Sequence, residues 1–159
     1  MIKTNKNKVF NPIPYFIVCL ITMISFDFVL TNHIIHNIRF GADFNLFKIV
    51  YVCNTGAAFS SFQHLTLGLI IVAIVAVLLI LYELFRDITK YTIPVYFASA
   101  MFLSGVFCNT YERITLGYVR DFISLNHIDF PIFNISDILI NLAVFVIIIL
   151  VIIKRYKRN

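Results

Sequence analysis

The stretch LTLGLIIVAIVAVLLILYELF, residues 65–85, decides the fold: its one charged side chain, Glu83, stands near its far end. At 1.5 Å per residue a helix of this length crosses about 30 Å of hydrocarbon. Working outward, three further apolar runs appear at 13–30, 92–111 and 136–153. Lipid offers no partner to a free backbone N–H or C=O, so each run is expected to be helical. The composition agrees, with 60% apolar residues and only 13% charged ones. An ordinary soluble domain is about half apolar and about a quarter charged, and a chain this small has too little interior to hide the surplus from water.

The charges say which way the helices run. Nine of the thirteen Lys and Arg residues fall on one side of the four runs: Lys3, Lys6 and Lys8, then Arg86 and Lys90, then Lys154, Arg155, Lys157 and Arg158. Arg39, Lys48, Arg113 and Arg120 fall on the other side. By the positive-inside rule both termini are expected in the cytoplasm. The net charge of +5 is then an orientation signal with secondary contact to anionic lipid, and no nucleic-acid partner is expected. The first run lacks a small-residue cleavage site after it, so it is expected to stay as a helix and not to be removed as a signal peptide.

The outward loops, expected at 31–64 and 112–135, carry order of their own. FNLFKIVYVCN (44–54) and YVRDFISLNHIDFPIF (118–133) are rich in β-branched and aromatic residues, which favours strands. The expected architecture is an all-α membrane protein of four transmembrane helices with a small β-rich extracytoplasmic cap, one integral membrane domain over residues 1–159.

Only eight acidic residues are present, so each can be weighed. Asp43, Glu83, Asp87 and Asp129 lie in loops or at helix ends. Asp27 lies ~21 Å along the first helix, within the hydrocarbon, where a carboxylate generally faces a protein interior or a water-filled cavity. Glu112 ends the third run and Asp137 opens the fourth, so topology alone brings them to a similar depth, with Asp121 in the loop between. Two carboxyls close together in a site of low dielectric share one proton; one then activates water while the other donates. The plainer alternatives are that Asp137 sits in the first turn of its helix behind an Asn134 or Ser136 cap, and that Glu112 pairs with Arg113.

Three stretches resemble the lipoprotein signal peptidase (signal peptidase II) family. CNTGAAFS (53–60) is similar to its N-x-G-A-A-F/W-S pattern. CNTYERITLGYVRDFI (108–123) is similar to GN-x-x-DR-x-x-x-G-x-V-x-DFI, and FNISD (133–137) to FN-x-AD. The resemblance implies a bacterial inner-membrane aspartyl protease, a hydrolase of lipoprotein processing with its site near the outer face. Its substrates would be prolipoproteins cut before a diacylglyceryl-cysteine. It implies catalytic carboxyls at Asp137 and Glu112, the latter a glutamate where the family has aspartate. Asn54, Asn109, Arg113 and Asn134 would line or support the site, with Asp121 and Asp27 beside it. Thr31, Cys108, Ser104 and Asn141 are further departures from the family pattern.

Glu112 leaves three readings open: an adapted dyad with Asp137, a paralogue that binds lipidated precursors without cutting, or replacement by Asp121, which as a loop residue would need to swing in. A four-helix transporter subunit is a fourth reading, against which the scarcity of ionisable groups in the inner halves of the helices counts. The peptide would be covered from above by residues 57–62. No cofactor or metal is expected: His33, His36, His64 and His127 follow no ligand pattern. A bridge between Cys53 and Cys108 is conceivable on the oxidising side, and the protein is expected to act as a monomer.

Overall fold

The computed structural model describes residues 11–56 and 66–157. Lys3, Lys6, Lys8, His64, Arg158 and the covering stretch 57–62 lie outside the described residues.

Four helices are long and apolar enough to cross a membrane: α1 (Ile13–Asn37), α2 (Thr66–Phe85), α3 (Ile93–Leu116) and α4 (Ile135–Tyr156). Strands β1 (Phe47–Asn54) and β2 (Val119–Leu125) form one antiparallel sheet, so the expected small β-rich element is present. It lies at the end of the bundle where α1 and α3 finish and α2 and α4 begin.

At the sheet end two helices outrun their apolar stretches by several residues. α1 continues from the expected end at 30 to Asn37, and α3 from 111 to Leu116, so Glu112 lies within the helix and not after it. An apolar run measures depth in lipid, whereas a helix continues as long as one face stays covered. In α1 that face is carried by Thr31 and Ile34, both buried.

α3 is the central helix and contacts α1, α2, α4 and β2. Its buried residues include Ala98, Ser99, Ala100, Ser104 and Gly105, small side chains that let neighbours approach closely, as helices in lipid need. A Cβ at Gly105 would stand 2.5 Å from the Ser136 carbonyl oxygen and 2.8 Å from Ile140 Cγ1, so only glycine allows the start of α4 to lie against α3. Away from the sheet, Phe16, Leu84, Tyr96, Ala100 and Leu103 form one apolar cluster. There the Tyr96 hydroxyl is 3.1 Å from the carbonyl oxygens of both Leu84 and Ile88, at the C-terminal end of α2. At the sheet end Ile34, Ile49, Phe122 and Ile135 form a second cluster.

β1 and β2 pair from Phe47↔Leu125 to Asn54↔Val119. Between the pairs Ile49↔Ile123 and Val52↔Asp121, β1 carries Val50 and Tyr51 against Phe122 alone, a bulge next to Asp121. On the far edge of β2, Phe133 forms an isolated bridge with Ile123. That bridge sets the residue after it, Asn134, beside the middle of β2.

Candidate active site

α3 closes on Gly117, whose φ of +83° is the left-handed conformation that glycine adopts most readily. The chain reverses there and enters β2 two residues later, which returns Arg120 to the last turns of α3. The Glu112 carboxylate meets it at three points. Oε1 accepts from Arg120 Nε at 2.8 Å and Nη2 at 2.6 Å, and Oε2 accepts from the Arg120 backbone N–H at 2.7 Å. Arg120 Nη1 also reaches Asn32 Oδ1 of α1 at 3.3 Å. Both oxygens of Glu112 are therefore engaged by Arg120. Neither bonds to Asp137, the expected partner, nor to Arg113, the alternative one.

Asp121, the next residue, is buried at 2% exposure. It does not need to swing in. Asn54 Nδ2, at the end of β1, donates to its Oδ2 at 2.8 Å, and Asn134 Nδ2 donates to its Oδ1 at 2.9 Å. Burial pushes the Asp121 carboxyl up to about 7, and the nearby Asp137 charge adds to the rise; the amides of Asn54 and Asn134 and the Arg113 cation pull the other way.

Asp137 is the third residue of α4. Asn134 caps the helix by accepting the Asp137 N–H at 3.0 Å on Oδ1, and Asp137 Oδ2 accepts the Asn134 N–H at 3.2 Å. This reciprocal capping box is the plainer role the sequence allowed, and Asn134, not Ser136, is the cap. The cap uses only part of Asp137. Its Oδ1 accepts from Asn109 Nδ2 at 2.9 Å, and Asn109 Oδ1 accepts from Asn134 Nδ2 at 3.0 Å. Asp121 and Asp137 are thus joined through two asparagine amides, with Asn54 closing the outer side.

Arg113 flanks this network. It donates from Nη2 to the Gly56 carbonyl at 2.8 Å and from Nη1 to the Asn109 carbonyl at 3.3 Å, and its buried Nε has no hydrogen-bond partner among the described residues. Asp27 stands behind, at 5% exposure, accepting from Ser136 Oγ at 2.6 Å and Thr31 Oγ1 at 3.3 Å. Ser136 therefore ties α1 to the first turn of α4.

Of the residues singled out by sequence, Asn54, Asn109, Asn134, Asp121 and Asp137 form one network with Arg113 at its side. Glu112 and Asp27 each keep separate partners. Sequence reasoning missed Arg120, counted only as a charge in a loop; its signal was its place directly before Asp121. Cys53 and Cys108 are both free, with Cys53 exposed on β1 and Cys108 buried in α3, so no bridge joins them. An apolar cleft of about 200 Å³ lies among Ile80, Ser99, Phe102, Val144, Ile147 and Ile148, and no residue of the network lines it.

A family model described as signal peptidase (SPase) II matches residues 16–153. The lipoprotein signal peptidase of Clostridium tetani is 38% identical over 111 residues, covering 68% of this chain and 70% of that protein. That of Lactobacillus johnsonii is 31% identical over 140 residues, covering 85% and 89%. A bacterial membrane enzyme solved by the in meso method superposes with a TM-score of 0.82 at 25% identity over 92% of this chain and 93% of that one. A second such structure gives 0.75 at 27% identity over 87% and 93%.

Proposed function

The chain belongs to the signal peptidase II family, and from that premise we propose that it removes signal peptides from diacylglyceryl-modified prolipoproteins with Asp121 and Asp137 as its carboxyl dyad. One observation carries the choice of pair: Asp121 and Asp137 are linked through the amides of Asn134 and Asn109, while both oxygens of Glu112 are held by Arg120.

The chemistry divides the two carboxyls. Asp121, with its affinity for protons pushed up to about 7, is about half protonated at neutral pH, and in that form it donates its proton to the scissile carbonyl oxygen. Asp137 accepts two N–H bonds at the partially positive start of α4 and acts as the base on water. The water oxygen bonds to the carbonyl carbon, one water proton passes to Asp137, and the Asp121 proton completes a gem-diol. Collapse breaks the C–N bond as Asp137 gives its proton to the leaving nitrogen and Asp121 recovers one from a diol hydroxyl. No metal is required. Arg113 lies close enough for both aspartates to feel its charge, and it anchors Gly56 above the site.

In the orientation that the positive-inside rule assigns, the sheet end faces outward from the bacterial inner membrane. The dyad is then reached by water from outside, while the acyl chains of the substrate remain in lipid beside the helices. Glu112 has no catalytic part in this reading, so its replacement of aspartate gives no ground for an inactive paralogue.

The test is cleavage of a diacylglyceryl prolipoprotein by wild type, Asp121→Asn and Asp137→Asn. Each variant is expected to lose about a hundredfold to ten-thousandfold in kcat, the range for losing a positioned acid or base. Asp121→Asn cutting at the wild-type rate overturns the choice of dyad. Substrate binding by wild type with no turnover overturns the enzyme.

A further inference from the structure

Arg120 has no part in the chemistry above, yet α1, α3 and β2 meet on it. Adjacent strand residues direct their side chains to opposite faces. Asp121 is drawn into the amide network by Asn54 and Asn134, and Arg120, one residue earlier, is drawn to Glu112 and Asn32. The edge of β2 not occupied by β1 is filled in the same manner. The Arg120 N–H goes to Glu112 Oε2, and the Phe122 N–H, two residues on, goes to the Phe133 carbonyl at 3.1 Å. The peptide unit bearing Asp121 is therefore fastened on both sides along that edge. The fastening is sheltered, since the side chains of Arg120 and Glu112 are 15% and 11% exposed.

We propose that Arg120 is a positioning residue for catalysis: gripped by Glu112 at three points, it fixes the backbone of β2 so that Asp121 meets Asn134 and Asp137 in reactive geometry. This rests on the reading of Asp121 as a dyad carboxyl. It also gives the glutamate at 112 a use that an aspartate does not fulfil. Spanning from α3 to both the guanidinium and the backbone N–H of Arg120 takes the longer arm, and aspartate is one methylene shorter. The planar fork of arginine is matched to a carboxylate in a way that a lysine ammonium is not.

The experiment measures kcat and KM separately on a diacylglyceryl prolipoprotein, with thermal unfolding in detergent alongside, for Arg120→Leu, Arg120→Lys, Glu112→Gln, Glu112→Asp and the double variant Glu112→Gln/Arg120→Leu. A misplacement near 1 Å costs about a hundredfold in rate, so Arg120→Leu is expected to lower kcat by about 10- to 100-fold. KM is expected to stay within about threefold, because the substrate-binding groups are untouched. Glu112→Asp should lose activity like Glu112→Gln, and the double variant should be no worse than the poorer single one, because both remove the same contact. Arg120→Lys keeps the charge and the aliphatic stem; it guards against misfolding and should show reduced kcat at an unchanged unfolding temperature. Wild-type kcat in correctly folded Arg120→Leu or Arg120→Lys overturns the proposal. So does full or enhanced activity in Glu112→Asp, because the longer arm would then not be needed. An active Asp121→Asn defeats the dyad and this inference together; an inactive Asp121→Asn beside a fully active Arg120→Leu defeats this inference alone.

Discussion

Asn54→Leu tests the electrostatics of the dyad most directly. Asn54 Nδ2 lies 2.8 Å from Asp121 Oδ2 and donates to it, a bond that favours the ionised carboxylate. With Asp121 pushed up to about 7, kcat/KM of the wild type should fall on the alkaline side with a midpoint near that pH, as the donor loses its proton. A hydrogen bond to a charged group contributes about 1.5–3 kcal/mol, and one pH unit corresponds to about 1.4 kcal/mol. Removing the amide should therefore raise the alkaline midpoint by about one to two pH units. The Asp137 charge, which also raises it, and the Arg113 cation, which lowers it, are both left in place. The assay is a pH profile of kcat/KM on a lipidated precursor, since kcat/KM reports the free enzyme. Asn54 Oδ1 also accepts the Gly56 N–H at 2.9 Å, so a second variant, Asn54→Asp, keeps that turn while replacing the donor by an acidic oxygen. Both variants should move the limb upward. An unmoved limb, or a downward shift in either, would refute the assignment of Asp121 as the proton donor.

Other expected outcomes concern the fold as well as the reaction. A carboxyl whose proton affinity is higher folded than unfolded weakens the fold as pH rises from about 4 through about 7, and does so fully above that. Asp121→Asn should therefore flatten the loss of unfolding temperature between pH 5 and pH 8; an unchanged slope refutes it. Gly105→Ala pushes a methyl against the Ser136 carbonyl, 2.5 Å from where its Cβ must stand, and should destabilise the protein by about 1–3 kcal/mol and reduce cleavage. Ser136→Ala leaves the buried Asp27 with Thr31 alone and should destabilise by about 1–3 kcal/mol, with Ser136→Thr restoring most of it. Reporters fused after Asn126 and after Tyr156 should read out on opposite sides of the membrane, and the same side for both would break the four-span arrangement.

Much of the fold could be read from the chain because lipid allows so few solutions. Uninterrupted apolar runs had to be helices, and β-branched stretches outside them formed the strands at Phe47–Asn54 and Val119–Leu125. The extra helical turns at Thr31–Asn37 escaped notice because their residues are mixed and only the covered face, with Thr31 and Ile34, is buried. The Asn134–Asp137 capping box was legible as an asparagine three residues before an acid. The pairing of Glu112 with Arg120 was not. It depends on the angle at which the chain leaves Gly117 and on which face of β2 each residue takes, neither of which residue spacing specifies. Asp121 looked like a mobile loop acid for the same reason, since the bonds that seat it come from Asn54 and Asn134, distant in sequence.

The cap of α4 restricts how this site can drift in evolution. A helix N–H can only donate, so Asp137 N fixes the direction of the Asn134 amide, with its oxygen toward the helix and its two hydrogens toward Asp121 and Asn109. By helix rules aspartate caps as well as asparagine, and an exchange at 134 looks neutral. In place it would set a third acidic group against two acceptors that now receive its hydrogens. Asn134 is thus replaceable as a helix start but held to asparagine as a source of donors, and Asn109, whose oxygen accepts one of them, is tied to it.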